Sequence, residues 1–257
     1  MLDPDSPFSP APNAAPLKEV ALDRLRAAIL SVELAPGMQV SEAQLCARYG
    51  LSKAAVRNAL ARLQGERLVH ASARRGYTVA PITPRSLDDL VEARRLAEPA
   101  LATLSCSASQ MAELRKRALV ADTAAGSGDR RAAYGAERAF CAALAAPLPN
   151  DTVRHWLAQL WDETHRAGLA LHVPAQALAQ GGCAALAERL AEGDVARTTA
   201  ALLARIDGFA AAVDAVLRRS DAPIHAPGRQ APPRASRAVR PNAAFVTKNH
   251  QQGDVTP

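Results

Sequence analysis

Residues 41–64 read SEAQLCARYGLSKAAVRNALARLQ, and this stretch decides the fold. Ser41 with Gln44 three places on is a capping box, in which side chain and backbone satisfy each other's hydrogen bonds at a helix start. Leu45, Cys46 and Tyr49 then form one side of a short helix. Gly50 suits the left-handed conformation that ends helices, because it has no Cβ to clash. Ser52 is a second N-cap, and behind it Val56, Ala59, Leu60 and Leu63 recur at helical spacing. The open face of this second helix carries Ser52, Lys53, Ala54, Arg57 and Asn58, with Arg62 further along. Two short helices around a glycine turn are a helix-turn-helix, and a helix that enters the major groove needs long donors near its N-terminal end. Lys53 and Arg57, four apart on one face, supply them. A merely solvated basic face is the plainer reading of the same side chains.

The flanks favour the DNA reading. Upstream, Leu22, Leu25, Ile29 and Val32 predict a helix over residues 17–32, stopped by Ala35-Pro36-Gly37. Downstream, Leu68-Val69-His70 and Tyr77-Thr78-Val79-Ala80 are β-prone runs around a turn that ends in Arg74, Arg75 and Gly76. That hairpin is a wing whose basic tip suits a phosphate backbone or a minor groove. Residues 17–80 hold ten cationic against five anionic side chains, most of the excess in a chain of net charge +6. A double-stranded DNA operator is the expected partner.

The rest of the chain has a different texture. Pro81-Ile82-Thr83-Pro84 marks a linker over residues 81–85. Residues 86–219 then read as successive amphipathic helices with no strand pattern. The first carries Leu90, Ala93, Leu96 and Ala97; the fourth carries Val153, Trp156, Leu157, Leu160 and Trp161; the fifth covers residues 174–191; the last keeps a period near 3.5 through Leu202, Ile206, Phe209 and Val213. With 49% hydrophobic but only 4% aromatic residues, close-packed alanine- and leucine-rich helices are favoured over sandwiches or barrels. The fold class is mainly α: a winged helix-turn-helix followed by an all-α bundle. Residues 1–16, with five prolines, are expected as a disordered arm, and residues 220–257 as a disordered basic tail.

Cys46, Cys106, Cys141 and Cys183 form no CxxC pair, no apolar run reaches membrane-spanning length, and the N-terminus lacks the pattern of a signal peptide. A cytoplasmic protein with free thiols is the expectation. No phosphate loop, GxSxG, HExxH or dinucleotide fingerprint is present, so no enzyme class is indicated.

The N-terminal segment resembles the GntR family of transcription regulators. The residues that carry the likeness are Leu25 to Leu30, Leu34-Ala35-Pro36-Gly37, Val40-Ser41-Glu42, Tyr49-Gly50-Leu51-Ser52, Val56 to Leu60, Leu63 and Arg75 to Val79. It departs at Lys53, where the family has Arg, at Ala54 and Ala55, where it has Thr and Pro, and at Arg67, where it has Gly. Lysine offers a point charge where arginine grips guanine with two prongs, so the resemblance implies DNA binding but not the family's operator preference.

The C-terminal segment resembles the FadR-like branch with an FCD domain. The carriers are Glu92 to Pro99, Glu137 to Cys141 with Asn150, and Ala185 to Asp194. The resemblance implies a homodimeric regulator, commonly a repressor, whose helical domain binds a small-molecule effector, a carboxylate for preference. It also implies a divalent metal held by one Asp and three His. Those positions fall on Glu137, Cys141, Cys183 and Arg205, and Arg205 repels a cation. No metal is therefore expected, and Arg205 would offer its charge to an anionic effector. A softer, zinc-like site around Glu137, Cys141 and Cys183 is one alternative. Small buried thiols in a pocket that has lost effector and metal binding are another. Arg95 and Arg166 are further candidates to grip a carboxylate, or else they pair with Glu98 and Glu163.

Overall fold

The computed structural model describes residues 14–72 and 76–219. Helix α1 (Ala14–Leu30) starts within the expected arm and ends at a turn where Val32 takes a positive φ of 62°. Strand β1 (Gln39–Val40) precedes α2 (Glu42–Tyr49) and α3 (Lys53–Gly65), followed by β2 (Val69–Ser72) and β3 (Gly76–Val79). The caps fall as the sequence predicts. The Ser41 side chain accepts from the Gln44 amide, Gly50 is left-handed at φ 65°, and the Ser52 side chain accepts from the Ala55 amide. The sheet order is β1-β3-β2, all antiparallel, so the two-residue β1 adds a strand that the hairpin reading did not contain. Gly76, with φ 86°, lies where a Cβ would come within 2.6 Å of the Val40 carbonyl oxygen. Any side chain there would push β1 off β3.

Leu22, Leu25, Ile29, Val56, Leu60 and Leu63 are buried in one core that joins α1 to α2, α3 and the sheet. Each buried leucine contributes about 1.5–3 kcal/mol by leaving water.

The second domain is helical throughout its described residues. It comprises α4 (Pro84–Ala97), α5 (Ala108–Ala125), α6 (Arg130–Ala145), α7 (Asp151–Ala170), α8 (Cys183–Ala191) and α9 (Val195–Arg219), with 3₁₀ turns at Glu98–Thr103 and Ala175–Ala177. Two expectations are corrected. Helix α4 begins at Pro84, with Thr83 as its cap, because proline at the first helical position gives up only an amide that has no intrahelical partner. The helix expected over residues 174–191 is interrupted, because Gly181 and Gly182 both take positive φ. The Asp122 carboxylate of α5 then accepts from the Cys183 and Ala184 amides, at 2.7 and 2.9 Å, and caps α8.

Helix α4 also turns a different face inward. Leu87, Val91, Arg94 and Glu98 are buried, whereas Leu96 is 79% exposed. Trp156, also expected in the core, is 58% exposed. The remaining parts of the expected arm and tail, residues 1–13 and 220–257, and the wing tip with Arg74 and Arg75, lie outside the described residues.

Candidate nucleic-acid interface and buried polar centre

Helix α3 divides cleanly. Val56, Ala59, Leu60 and Leu63 are buried, while Ser52, Lys53, Ala54, Arg57, Asn58 and Arg62 are exposed on the other side. Arg57 is held there by Glu42, the first residue of α2. Its Nε and Nη2 donate to the two carboxylate oxygens, each at 3.1 Å. This fork lowers the Glu42 pKa from the ordinary carboxylate range, with Lys53 adding to the effect, and fixes the direction of the Arg57 side chain. Ser52 is used as a cap, so its hydroxyl serves the helix before it serves any ligand. On the far side of the turn, Arg24 and Arg48 flank the Tyr49 ring, at 5.7 and 5.5 Å from its centroid.

The reader is tied to the bundle by a buried arginine. Arg166, on α7, is 1% exposed. Its Nη2 donates to the carbonyl of Ala80 just past β3, its Nη1 donates to Glu163 at 2.8 Å, and its Nε has no hydrogen-bond partner among the described residues. Arg166 thus holds the linker, beside a groove of about 880 Å³ lined by Arg67, Leu90, Ala93, Leu96, Trp156 and Leu160.

Inside the bundle the positions implied by the resemblance do come together. The Glu137 carboxylate accepts from Arg205 Nη2 at 2.7 Å and from the Cys141 thiol at 3.1 Å, and its other oxygen meets His165 Nε2. Arg205 Nη1 donates to Cys183 Sγ at 3.5 Å, and the guanidinium lies 5.6 Å from the centroid of the Phe140 ring. Burial opposes the Glu137 charge, but His165 and then Arg205 more than offset it and bring its pKa down to about 2. Burial pushes the Cys183 thiol up to about 12, and it raises Cys141 well above its ordinary value. Both thiols therefore stay protonated near neutral pH. Among the described residues no group of three or more His, Cys, Asp or Glu side chains has the arrangement of a metal site.

Sequence reading missed two members of this centre or its neighbourhood. His165 carries no motif, and its partner Glu137 is 28 residues away. Arg94, not Arg95, points inward: Nε donates to Glu98 Oε1 at 2.5 Å, Trp161 Nε1 donates to the same oxygen at 3.0 Å, and Arg94 Nη1 has no partner among the described residues. Arg95 is on the surface, paired with Asp207 at 2.7 Å. The i, i+4 spacing of Arg94 and Glu98 was the available signal.

Two family models match the chain: that of bacterial regulatory proteins of the gntR family over residues 17–79, and that of the FCD domain over residues 89–208. An uncharacterized HTH-type transcriptional regulator, BphR of Paraburkholderia xenovorans (strain LB400), is 40% identical over 108 residues, which is 41% of each chain. A putative GntR transcriptional regulator from Rhodococcus sp. RHA1 has a similar fold, with a TM-score of 0.60 at 23% identity over 80% of this chain and 99% of that one. McbR/YncC of E. coli aligns with a TM-score of 0.53 at 22% identity, over 79% and 94%. No described helix is long and apolar enough to cross a membrane. With its winged helix-turn-helix in front and its helical domain behind, the chain belongs to the GntR family of bacterial regulatory proteins and carries an FCD domain.

Proposed function

We propose that this protein is a homodimeric, operator-binding repressor released by a small organic anion. The observation that carries the DNA reading is the α3 face of Lys53, Ala54, Arg57, Asn58 and Arg62, cationic and exposed on a helix whose opposite side is clamped in the reader core. Two such helices, set one turn of duplex apart by a dimer, read a near-palindromic site. Dimerisation is supported by the apolar face across α4 and α7, where Leu96 and Trp156 stand in water in a single chain.

Arg95, Arg166 and Arg205 are each already paired within the chain, with Asp207, Glu163 and Glu137. The group that invites an effector oxygen is Arg94 Nη1, buried beside Glu98 and Phe209 and unpartnered among the described residues. A second reading, a DNA binder that no longer senses an effector, is favoured by that same internal pairing. Fluorescence anisotropy with promoter DNA, repeated with a panel of organic acids, tests both. Ligand-weakened binding that Arg94→Met abolishes supports the sensor. Specific binding that no acid alters supports the second reading, and absence of specific binding refutes both.

A further inference from the structure

The centre of the bundle poses a question of charge. A divalent cation needs anionic or lone-pair donors free to face it. Here the Glu137 carboxylate, 6% exposed, has one oxygen on Arg205 and Cys141 and the other on His165. The guanidinium of Arg205, 3% exposed, stands against Glu137 and Cys183 and beside the face of Phe140. Its charge balances Glu137 one for one. A dication added to that neutral pair would meet a fixed positive charge in a low-dielectric interior, where like charges repel strongly. The residues present therefore do not fit the metal that the family resemblance implies.

We infer that Arg205 is a built-in cation: its guanidinium occupies the place of a metal against Glu137 and His165, so that the helical domain is folded and competent without any divalent ion. Arginine suits this role because it keeps its proton when buried and its planar fork reaches carboxylate and thiol together. The chain exchanges a dissociable ion for a covalent one. Its stability then follows Glu137 and Arg205 and is independent of metal supply.

The test uses the full-length protein, metal analysis and thermal melts with EDTA or with zinc, nickel or manganese alone. The expected wild type carries no stoichiometric metal and shifts its melting temperature by less than about 1 °C under any addition. Arg205→His removes the internal cation and places a third nitrogen or carboxylate donor beside Glu137 and His165. It is expected to melt lower and to regain about 5 °C or more with one of these cations, reversed by EDTA. Arg205→Lys, which keeps the charge, is expected to fold and to ignore metal, and it carries the test if Arg205→His does not fold. Stoichiometric metal in the wild type, a fall in its melting temperature with EDTA, an Arg205→Lys protein that gains metal dependence, or a folded Arg205→His protein blind to every cation overturns the inference. None of these readouts depends on an operator or an effector.

Discussion

His165 and Arg166 are neighbours on α7, yet they fasten it to two different parts of the molecule. His165 Nε2 meets Glu137 in the centre of the bundle, and Arg166 Nη2 donates to the Ala80 carbonyl where the wing sheet ends. One turn of one helix therefore touches both the polar centre and the strap to the reader. A coupling between domains requires an element that both sites bias, and this turn of α7 has the connections for it. Arg166→Met keeps the stem but leaves the Ala80 carbonyl without its buried donor, which costs about 1–3 kcal/mol. Faster amide exchange is expected over residues 79–83, and any effector response should weaken while operator affinity is retained. Exchange measured by mass spectrometry checks the first, and anisotropy with effector checks the second.

The Arg57–Glu42 fork sets a second expectation. Lys53→Ala and Arg57→Ala should each lower operator affinity about tenfold, in keeping with about 1–3 kcal/mol for a specific contact. Glu42→Gln acts in the other direction on unspecific DNA, since it removes a negative charge from the binding face and frees Arg57 to roam over phosphates. Binding to scrambled duplex should tighten and discrimination should fall. Anisotropy on operator and scrambled DNA over a salt series decides it, and unchanged affinity in Lys53→Ala/Arg57→Ala would remove α3 from the interface.

Acid should find the polar centre. Glu137 sits at about 2 when folded and near 4.5 as an ordinary glutamate, so its stabilisation is complete above the unfolded value and drains away as pH falls toward 2. Glu137→Gln leaves Arg205 buried without its counter-charge, and a loss of about 3–5 kcal/mol is expected at neutral pH. Replacing both, as Glu137→Gln/Arg205→Met, should recover much of that loss and flatten the profile between pH 5 and about 2. Urea melts across this range, arranged as a double-mutant cycle, give the coupling directly.

The reader domain was legible because its signals are local: caps at Ser41 and Ser52, a glycine at φ 65°, and apolar residues at one helical period. The bundle was legible as helices but not as faces. On α4 the spacing of Leu90, Ala93, Leu96 and Ala97 predicts the core side, whereas Leu87, Val91 and Arg94, with Glu98 just past its end, are the residues that point in. Counting apolar residues cannot see that Arg94 and Glu98 neutralise each other four residues apart and so become able to be buried. The same blindness chose Arg95 over Arg94. The pairing of Glu137 with His165 and Arg205 joins three helices and has no local trace. Strand β1, two residues long, is too short to display alternation at all.

The misassigned face of α4 leads to the last expectation. Helices rarely carry two apolar sides unless both are covered, and the described residues of a single chain cover only one of these. The uncovered side joins Leu96 of α4 to Trp156 of α7 across an apolar groove that also reaches Arg67 of the reader. A second copy seated there would bury a central tryptophan, the residue type that most often dominates association energy, and would fix the spacing of the two α3 helices at once. Trp156→Glu and Leu96→Asp should therefore convert a dimer to monomer in sedimentation velocity with little change in thermal stability, because both side chains are exposed in the monomer. Operator affinity should fall about a hundredfold or more, since a monomer holds only one half-site. Monomeric wild-type protein that still binds a two-fold operator, or variants that remain dimeric, would place the dimer contact elsewhere.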